Sequence, residues 1–340
     1  MHHRERSNPY AREALTSSTI SMTGAALSIP KPRSKTFSAI LYQLARFAGD
    51  DSITILFEGE SGTGKNWLAR EAHRLSRRAQ NDLHETSLAT VVDSLAASEL
   101  FGHAQGAFTD ARGSRAGAFQ SARRGTLFLD EVGKASPAVQ RLLLRAVEDR
   151  VVIPVGSDRA VPVDVRLLLA TNVSLESLVG DGRFLPDLFA RLGQFRIVVP
   201  PLRERREDIP DLARYFLAKH AARSGYSVGL PEIHPALMGA LQHAPWKYNL
   251  RELDGTMHRL ILEADSAAVL TFEHCVDGIK YLREYEQGRP TKLSPGSVAA
   301  AVTLADSVAG AARALDISRS TIYRKLAQIE EPSPPPTVAD

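Results

Sequence analysis

The sequence predicts an α/β domain built on a parallel sheet, followed by a small helical domain and an all-α helix-turn-helix. Three stretches indicate this: an apolar strand that runs into a glycine-rich loop at 53–67, a second apolar strand that ends in two acids at 125–131, and a short basic helix near residue 320. Strands buried on both faces read as unbroken apolar runs, which is typical of parallel sheets. Beyond a Pro200-Pro201 corner the composition becomes helical.

Composition narrows the class of protein. The 340 residues leave room for two or three domains. A net charge of only +3 means that any nucleic-acid binding comes from a local basic element. The single Cys275 excludes an intrachain disulfide and a cysteine-based zinc cluster. The sequence has neither an apolar run of the roughly 20 residues that span a bilayer nor an apolar signal-peptide core at Met1–Arg12, so we predict a cytoplasmic protein without membrane contact.

The stretch at 53–67 predicts a phosphate-binding loop. Gly59, Gly64 and Lys65 fit the G-x-x-x-x-G-K spacing between a strand and a helix. Backbone N–H groups would surround a phosphate, and Lys65 would reach the β- and γ-phosphates. A glycine-rich turn with a nearby lysine is the disfavoured alternative. Asn66 stands where most such loops place Ser or Thr as a magnesium ligand. The predicted nucleotide contacts are Gly59, Glu60, Ser61, Gly62, Thr63, Gly64, Lys65 and Asn66.

Polar side chains follow two further apolar strands. Asp130 and Glu131 end the strand G-T-L-F-L-D-E, where open α/β sheets bind their ligands. Asp130 is predicted to hold Mg²⁺ and Glu131 to act as the general base for an attacking water. Two such acids also occur by chance at surfaces, but an upstream phosphate loop favours the hydrolytic site. Asn172, after the strand at 163–170, either senses the γ-phosphate or only caps its strand.

The segment Glu99–Ala111 contains G-A-F-T, which places the bulky Phe108 beside a flexible glycine. Taken alone, this segment favours a turn whose Phe108 packs into the core.

The predicted domain boundaries follow the changes in composition. They are a flexible arm at 1–34, the α/β domain at 35–201, the helical lid at 202–282, a linker at 283–297, the helix-turn-helix at 298–330 and a disordered tail at 331–340.

The helix after Ser318 predicts DNA binding. Ser318 is a good N-cap, and Ile322 and Leu326 face inward at i, i+4. Base-reading residues commonly lie at the start of such a recognition helix. A solvated basic face is the alternative. The candidate DNA contacts are Arg319, Ser320, Thr321, Tyr323, Arg324 and Lys325.

Taken together, these motifs resemble the sigma-54-dependent transcriptional activators, which are bacterial enhancer-binding proteins of the AAA+ ATPase superfamily. The resemblance covers about 37 to the 280s and a Fis-type helix-turn-helix at 298–329. G-E-S-G-T-G-K is similar to the family's Walker A motif, G-T-L-F-L-D-E to its Walker B motif and G-A-F-T-D-A to its sigma-contacting loop. D-V-R-L-L-L-A-T-N resembles the sensor I strand and A-P-W-K-Y-N-L-R-E-L the start of the sensor II helix. No receiver or sensor domain is expected before the ATPase.

The resemblance implies an AAA+ fold and an ATPase that uses ATP and Mg²⁺. By position, Arg251 matches the sensor II arginine, and Arg191 matches an arginine that reaches into the neighbouring subunit's site. Phe108 and Thr109 match the tip that contacts the sigma factor. The implied partners are sigma-54 RNA polymerase holoenzyme, double-stranded upstream DNA and further copies of the chain in a hexameric ring.

Four positions depart from the family pattern. Asp110 replaces a loop glycine, and Ser87 lies where an Asn usually restrains the catalytic Glu. Leu185 replaces another interface arginine, and Tyr248 replaces the sensor II glycine. They suggest a divergent member with slower or differently controlled hydrolysis.

Two functions remain open from the sequence. The first is an ATP-driven activator that opens sigma-54 promoters. The second is a DNA-binding regulator that keeps the AAA+ module only as a nucleotide-responsive oligomerisation platform. An unrelated remodeller or helicase explains neither G-A-F-T nor the helix-turn-helix.

Overall fold

A computed structural model describes most of the chain. The described residues are 19–20, 27–89, 93–108, 111, 113–224, 230–264, 267–275, 302, 307–310, 319, 322–323 and 326. The predicted linker and tail lie outside them, as do most of the predicted arm and most of the helix-turn-helix. No helix in the described ranges has both the length and the apolar character needed to cross a membrane.

Two compact units divide the described residues. The first unit contains 19–20, Lys31–Arg205 and Tyr248–Leu250, and the second contains 27–30, Arg206–Lys247 and the described residues from Arg251 onward.

A five-stranded parallel sheet forms the centre of the first unit. Its strands are β1 (Ile55–Glu58), β2 (Leu83–Ser87), β3 (Thr126–Asp130), β4 (Arg166–Thr171) and β5 (Phe195–Val198). The spatial order is β2-β3-β4-β1-β5. Register places Thr171 beside Glu58 and Ser87 beside Asp130, so the carboxyl ends of the strands meet along one edge.

Helices cover both faces of the sheet and form the second unit. Those that lie wholly in the first unit are α1 (Lys35–Ala48), α2 (Lys65–Arg74), α3 (Asp93–Phe101), α4 (Ala118–Ser121), α5 (Pro137–Glu148), α6 (Leu175–Gly180) and α7 (Pro186–Leu192). The second unit contains α8 (Ile209–Ser224), α9 (Pro235–His243) and most of α10 (Asn249–Glu263), whose first two residues belong to the first unit. Short 3₁₀ turns occupy Val132–Lys134, Leu202–Glu204, Arg206–Asp208 and Phe272–His274. Two-residue strands lie at Thr19–Ile20, Leu27–Ser28, Val151–Val152, Val161–Pro162, Glu232–Ile233 and Val269–Leu270.

Side chains that alternate between the two faces of the strands form two hydrophobic cores. In β3, Leu127 and Leu129 pack into one cluster, whereas Phe128 packs into the cluster on the opposite face. Phe57 of β1 joins the second cluster, where Leu68 of α2 also lies. This arrangement fixes β1 and α2 around the glycine-rich loop between them.

The strand β2 was not predicted from the sequence. Its residues L-H-E-T-S are half-buried or exposed, because β2 is an edge strand covered on fewer sides than its neighbours. It therefore lacks the apolar run that identified β1, β3 and β4.

Candidate functional site

The glycine-rich loop leads directly from β1 into α2. Gly62 and Gly64 have φ values of 79° and 106°, which a residue with a side chain adopts only with strain. Lys65 is buried at the first position of α2. Its Nζ donates to the carbonyl oxygens of Gly59 at 2.7 Å and Glu60 at 3.0 Å. The lysine therefore lies against the loop that the sequence assigns to phosphate binding.

The two acids meet this loop at the carboxyl edge of the sheet. Asp130 is the last residue of β3, and its Oδ1 accepts a hydrogen bond from the backbone N–H of Glu131 at 2.9 Å. Its Oδ2 accepts from Asn66 Nδ2 at 3.4 Å. Residues 64 positions apart are thus brought together, as the predicted nucleotide site requires.

Three buried oxygens at this edge have no hydrogen-bond donor among the described residues, and one of them is Glu58 Oε2 at the end of β1, 3.8 Å from Arg196. The other two belong to residues predicted to act in hydrolysis. One is Glu131 Oε2, whose nearest ion-pair partner is Lys134 Nζ at 3.8 Å. The other is Asn172 Oδ1, directly after β4. Glu131 has left-handed backbone angles of φ 60° and ψ 40°, an uncommon conformation for a residue with a side chain. Unpartnered buried oxygens are costly unless they serve a ligand or water.

The residues at this edge also fit a magnesium ion. Mg²⁺ prefers oxygen ligands, usually one or two carboxylates together with phosphates and water. Asp130 supplies such a carboxylate beside the loop. Asn66 contributes an amide where most such loops have a hydroxyl.

Two arginines that the sequence analysis missed hold the loop from a distant segment. Arg203 binds both carboxylate oxygens of Glu60, at 2.8 and 2.6 Å. These hydrogen bonds from Arg203 are the main reason that the pKa of Glu60 lies below its ordinary value. Arg205 is buried, donates to the carbonyl oxygen of Thr63 at 2.6 Å and stacks 4.2 Å above the Phe37 ring. The only sequence signal was their place in V-P-P-L-R-E-R-R, a segment close to a signature of the family that the motifs resemble.

Arg191 lies away from the loop. It is exposed on α7, and its Nε donates to Glu148 Oε1 at 3.0 Å. It lines a cavity of about 240 Å³ together with Thr54, Val165 and Phe195, which lie at the amino ends of β1, β4 and β5. The loop is at the opposite, carboxyl edge, so Arg191 does not join the phosphate site of its own chain.

The segment around Phe108, taken alone, favoured packing of this side chain into the core, but the structure does not bury it there. The Phe108 side chain is 40% exposed, and its ring lies edge-on to that of His103 with the centroids 4.9 Å apart. Backbone hydrogen bonds from Ala107 N to Ala104 O and from Ala111 N to Phe108 O hold the turn. Thr109 and Asp110 lie outside the described residues.

The other family departures have identifiable surroundings. Ser87 is exposed beside Asp130, and its Oγ accepts from Ala89 N at 3.3 Å. Leu185 packs partly buried against the larger core cluster. Tyr248 is 54% exposed, and its φ is not positive, so the backbone does not require glycine there.

The remaining predicted contacts belong to the second unit. Arg251 is exposed in the first turn of α10. Near the chain's end, Arg319 and Tyr323 are exposed and Ile322 is buried, as the predicted inward face requires. Ser320, Thr321, Arg324 and Lys325 lie outside the described residues.

Comparison with known proteins decides the family. Residues 32–198 match the Sigma-54 interaction domain, and residues 203–290 match the AAA+ ATPase lid domain. The chain is 39% identical over 336 residues to the transcriptional regulatory protein ZraR of Klebsiella oxytoca, covering 95% of this chain and 74% of ZraR. The chain belongs to the family of sigma-54-dependent transcriptional activators. Its AAA+ module is an ATPase, as in the rest of this family.

Two further comparisons agree with this family. The DNA-binding transcriptional regulator NtrC of Klebsiella pneumoniae is 46% identical over 220 residues, which is 65% of this chain and 46% of NtrC. The crystal structure of NtrX from Brucella abortus in complex with ATP has a TM-score of 0.70 at 28% identity and covers 90% of this chain and 70% of that one. The parallel-sheet AAA+ fold with a helical lid is therefore confirmed.

Proposed function

We propose that this chain is an ATP-driven activator that binds upstream DNA and remodels sigma-54 RNA polymerase holoenzyme to open promoters. The observation that carries the proposal is an exposed Phe108 in G-A-F-T, held by backbone hydrogen bonds on the same unit as the phosphate loop and the acid pair. Apolar side chains held in solvent commonly contact a partner.

The residues at the carboxyl edge suit ATP hydrolysis. Phosphoryl transfer to water depends mainly on positioning and on neutralising charge. Lys65 would bind the β- and γ-phosphates, together with backbone N–H groups of the loop. Asp130 would hold Mg²⁺, which neutralises phosphate charge when it is bound. Glu131, with an unpartnered buried oxygen, would accept the proton of the attacking water, and Asn172 would orient that water or contact the γ-phosphate.

A ring of identical subunits would complete the site. Arg191 lies at the opposite edge of the sheet from Lys65, so it serves hydrolysis only if it reaches the site of a neighbouring copy. Its surface position and its pairing with an exposed Glu148 leave it accessible for that role. We place the chain in a homo-oligomer, a hexameric ring by analogy with the family, with Arg251 as a further nucleotide contact.

The variant sigma-contacting loop gives the deciding experiment. Phe108→Ala should retain ATPase activity and lose promoter opening, because it removes the apolar tip and no group at the nucleotide site. Asp110→Gly should be neutral or should improve activation, since glycine restores conformational freedom at that position. Thr109 is expected to share the contact with Phe108. The measurement is ATP-dependent open-complex formation with sigma-54 polymerase, and Tyr42→Ala, which removes another exposed aromatic side chain, is the matched control.

The platform regulator is the second candidate. It is favoured by Leu185, which packs against the core where the family usually has an arginine. If the wild-type chain and Asp110→Gly both hydrolyse ATP but fail to open a sigma-54 promoter, the activator proposal is wrong and the platform regulator replaces it.

DNA binding is proposed for the predicted recognition helix, where Arg319 and Tyr323 are exposed and Ile322 is buried. Arg319→Ala and Arg324→Ala should each weaken specific binding and leave ATPase activity unchanged. A lost base contact costs about 1–3 kcal/mol and relaxes one position, whereas a lost phosphate contact weakens binding to all sequences alike. Titration of each variant against specific and unrelated duplexes separates the loss of a base contact from the loss of a phosphate contact. Arg145→Ala, exposed in the first unit, is the control, and unchanged affinity in both variants would contradict this role.

A further inference from the structure

Asn249 is a buried amide at the junction of three segments. It is the first residue of α10, is fully buried and has a left-handed φ of 54°. Asn adopts this region more readily than most side chains do. Its Oδ1 accepts from Leu202 N at 2.7 Å, and its Nδ2 donates to Glu60 Oε2 at 3.2 Å and to Ser61 O at 2.9 Å. The Asn249 amide thus donates its N–H groups to the loop, and its oxygen accepts from Leu202 in the segment that supports the loop.

These bonds complete a set that holds four consecutive loop residues. Leu250, next to Asn249, donates its N–H to the Gly62 carbonyl at 2.9 Å. Arg203 binds Glu60, and Arg205 binds the carbonyl of Thr63. All of these partners lie at 202–205 or 249–250, and all belong to the first unit. The conformation of the loop is therefore set by contacts from distant segments.

The carboxylate of Glu60 explains why such support matters. A phosphate-binding loop works when its N–H groups already point at the ligand, and an anionic side chain in that loop opposes phosphate binding. Arg203 compensates the charge, and Asn249 donates to the same carboxylate. Aspartate at position 249 could accept but not donate, and glycine could do neither, although both residues tolerate a left-handed backbone.

We propose that Asn249 is a positioning residue for the phosphate-binding loop, whose buried amide keeps Glu60 and Ser61 in the conformation that receives the nucleotide's phosphates. This inference rests on the proposed ATP-driven function, because it concerns the same site. A loop that is only partly populated in its binding conformation raises the apparent Kd in inverse proportion to that population.

The test measures the Kd for ADP by calorimetry on the full chain at 20–25 °C, alongside the Tm without nucleotide. Asn249→Gly keeps the left-handed backbone and removes the amide, and it should raise the Kd about tenfold or more. Asn249→Asp should raise it further, because a carboxylate then faces Glu60. Adding Glu60→Gln to Asn249→Asp should recover part of the loss, since the new amide at position 60 can donate to the new carboxylate. Arg124→Gly, at φ 64°, is the control for glycine in a left-handed position.

The outcomes separate positioning from general support of the fold. A lowered Tm with an unchanged Kd in Asn249→Gly, or no recovery in the double variant, would overturn the inference. If Asn249→Gly does not fold, the comparison of Asn249→Asp with the double variant decides alone. Failure of the wild-type chain to bind ADP would overturn the proposed function and this inference with it. Equal affinity in the wild type and Asn249→Gly would overturn only the inference.

Discussion

Replacing Lys65 by Ala is expected to abolish nucleotide binding. The ammonium lies buried at the start of α2, within hydrogen-bond distance of two loop carbonyls, where it can turn to the β- and γ-phosphates. A charge-assisted hydrogen bond from Lys65 to a phosphate contributes about 1.5–3 kcal/mol. Losing one such bond to each of the two phosphates should therefore raise the Kd for ATP by at least about a hundredfold. Calorimetric titration of ATP into both proteins measures the effect.

Lys134→Ala is the matched control for this variant. Lys134 is another cation beside the acid pair, 3.8 Å from Glu131, but it is largely exposed and outside the loop. It should bind ATP nearly as the wild type does. If Lys65→Ala keeps wild-type affinity, residues 59–66 are not the phosphate site and the nucleotide assignment is wrong.

Glu131→Gln is expected to keep ATP bound while hydrolysis falls by about 10² or more, as for the loss of a general base. The substitution preserves size and removes the negative charge, and with it the ability to accept a proton and the 3.8 Å ion pair with Lys134. Because Glu131 Oε2 has no donor among the described residues, the change breaks no hydrogen bond within the described chain. The prediction is therefore a lower kcat with little change in the affinity for ATP.

Steady-state ATPase rates and ATP affinity, both measured on Glu131→Gln, test whether hydrolysis is lost while binding is kept. Glu176→Gln, an exposed carboxylate near Arg196, should leave both values unchanged. Normal hydrolysis by Glu131→Gln would remove the Walker B assignment. Loss of binding together with hydrolysis would instead assign Glu131 to the support of the site.

Local patterns in the sequence determined the nucleotide-binding core. The strand, loop and helix at 53–67 are consecutive, so their spacing alone specifies backbone geometry around a phosphate. Asp130 and Asn172 were identified because buried parallel strands are apolar runs and their carboxyl ends share one edge. Those same motifs carried the family resemblance, which the comparison with ZraR and the two matched domains confirmed.

Only the tertiary structure decided which distant residues support that core. Arg203, Arg205 and Asn249 reach the loop across 142 to 189 positions, and nothing in their local sequence specifies such contacts. The half-exposed edge strand β2 lacked an apolar run for a similar reason, since edge position is a property of the assembled sheet. Whether a given side chain is exposed to solvent is likewise decided by the tertiary packing. Phe108 is in solvent and Arg191 is at the far edge because packing places them there, whereas composition alone would have buried the first and left the second unassigned.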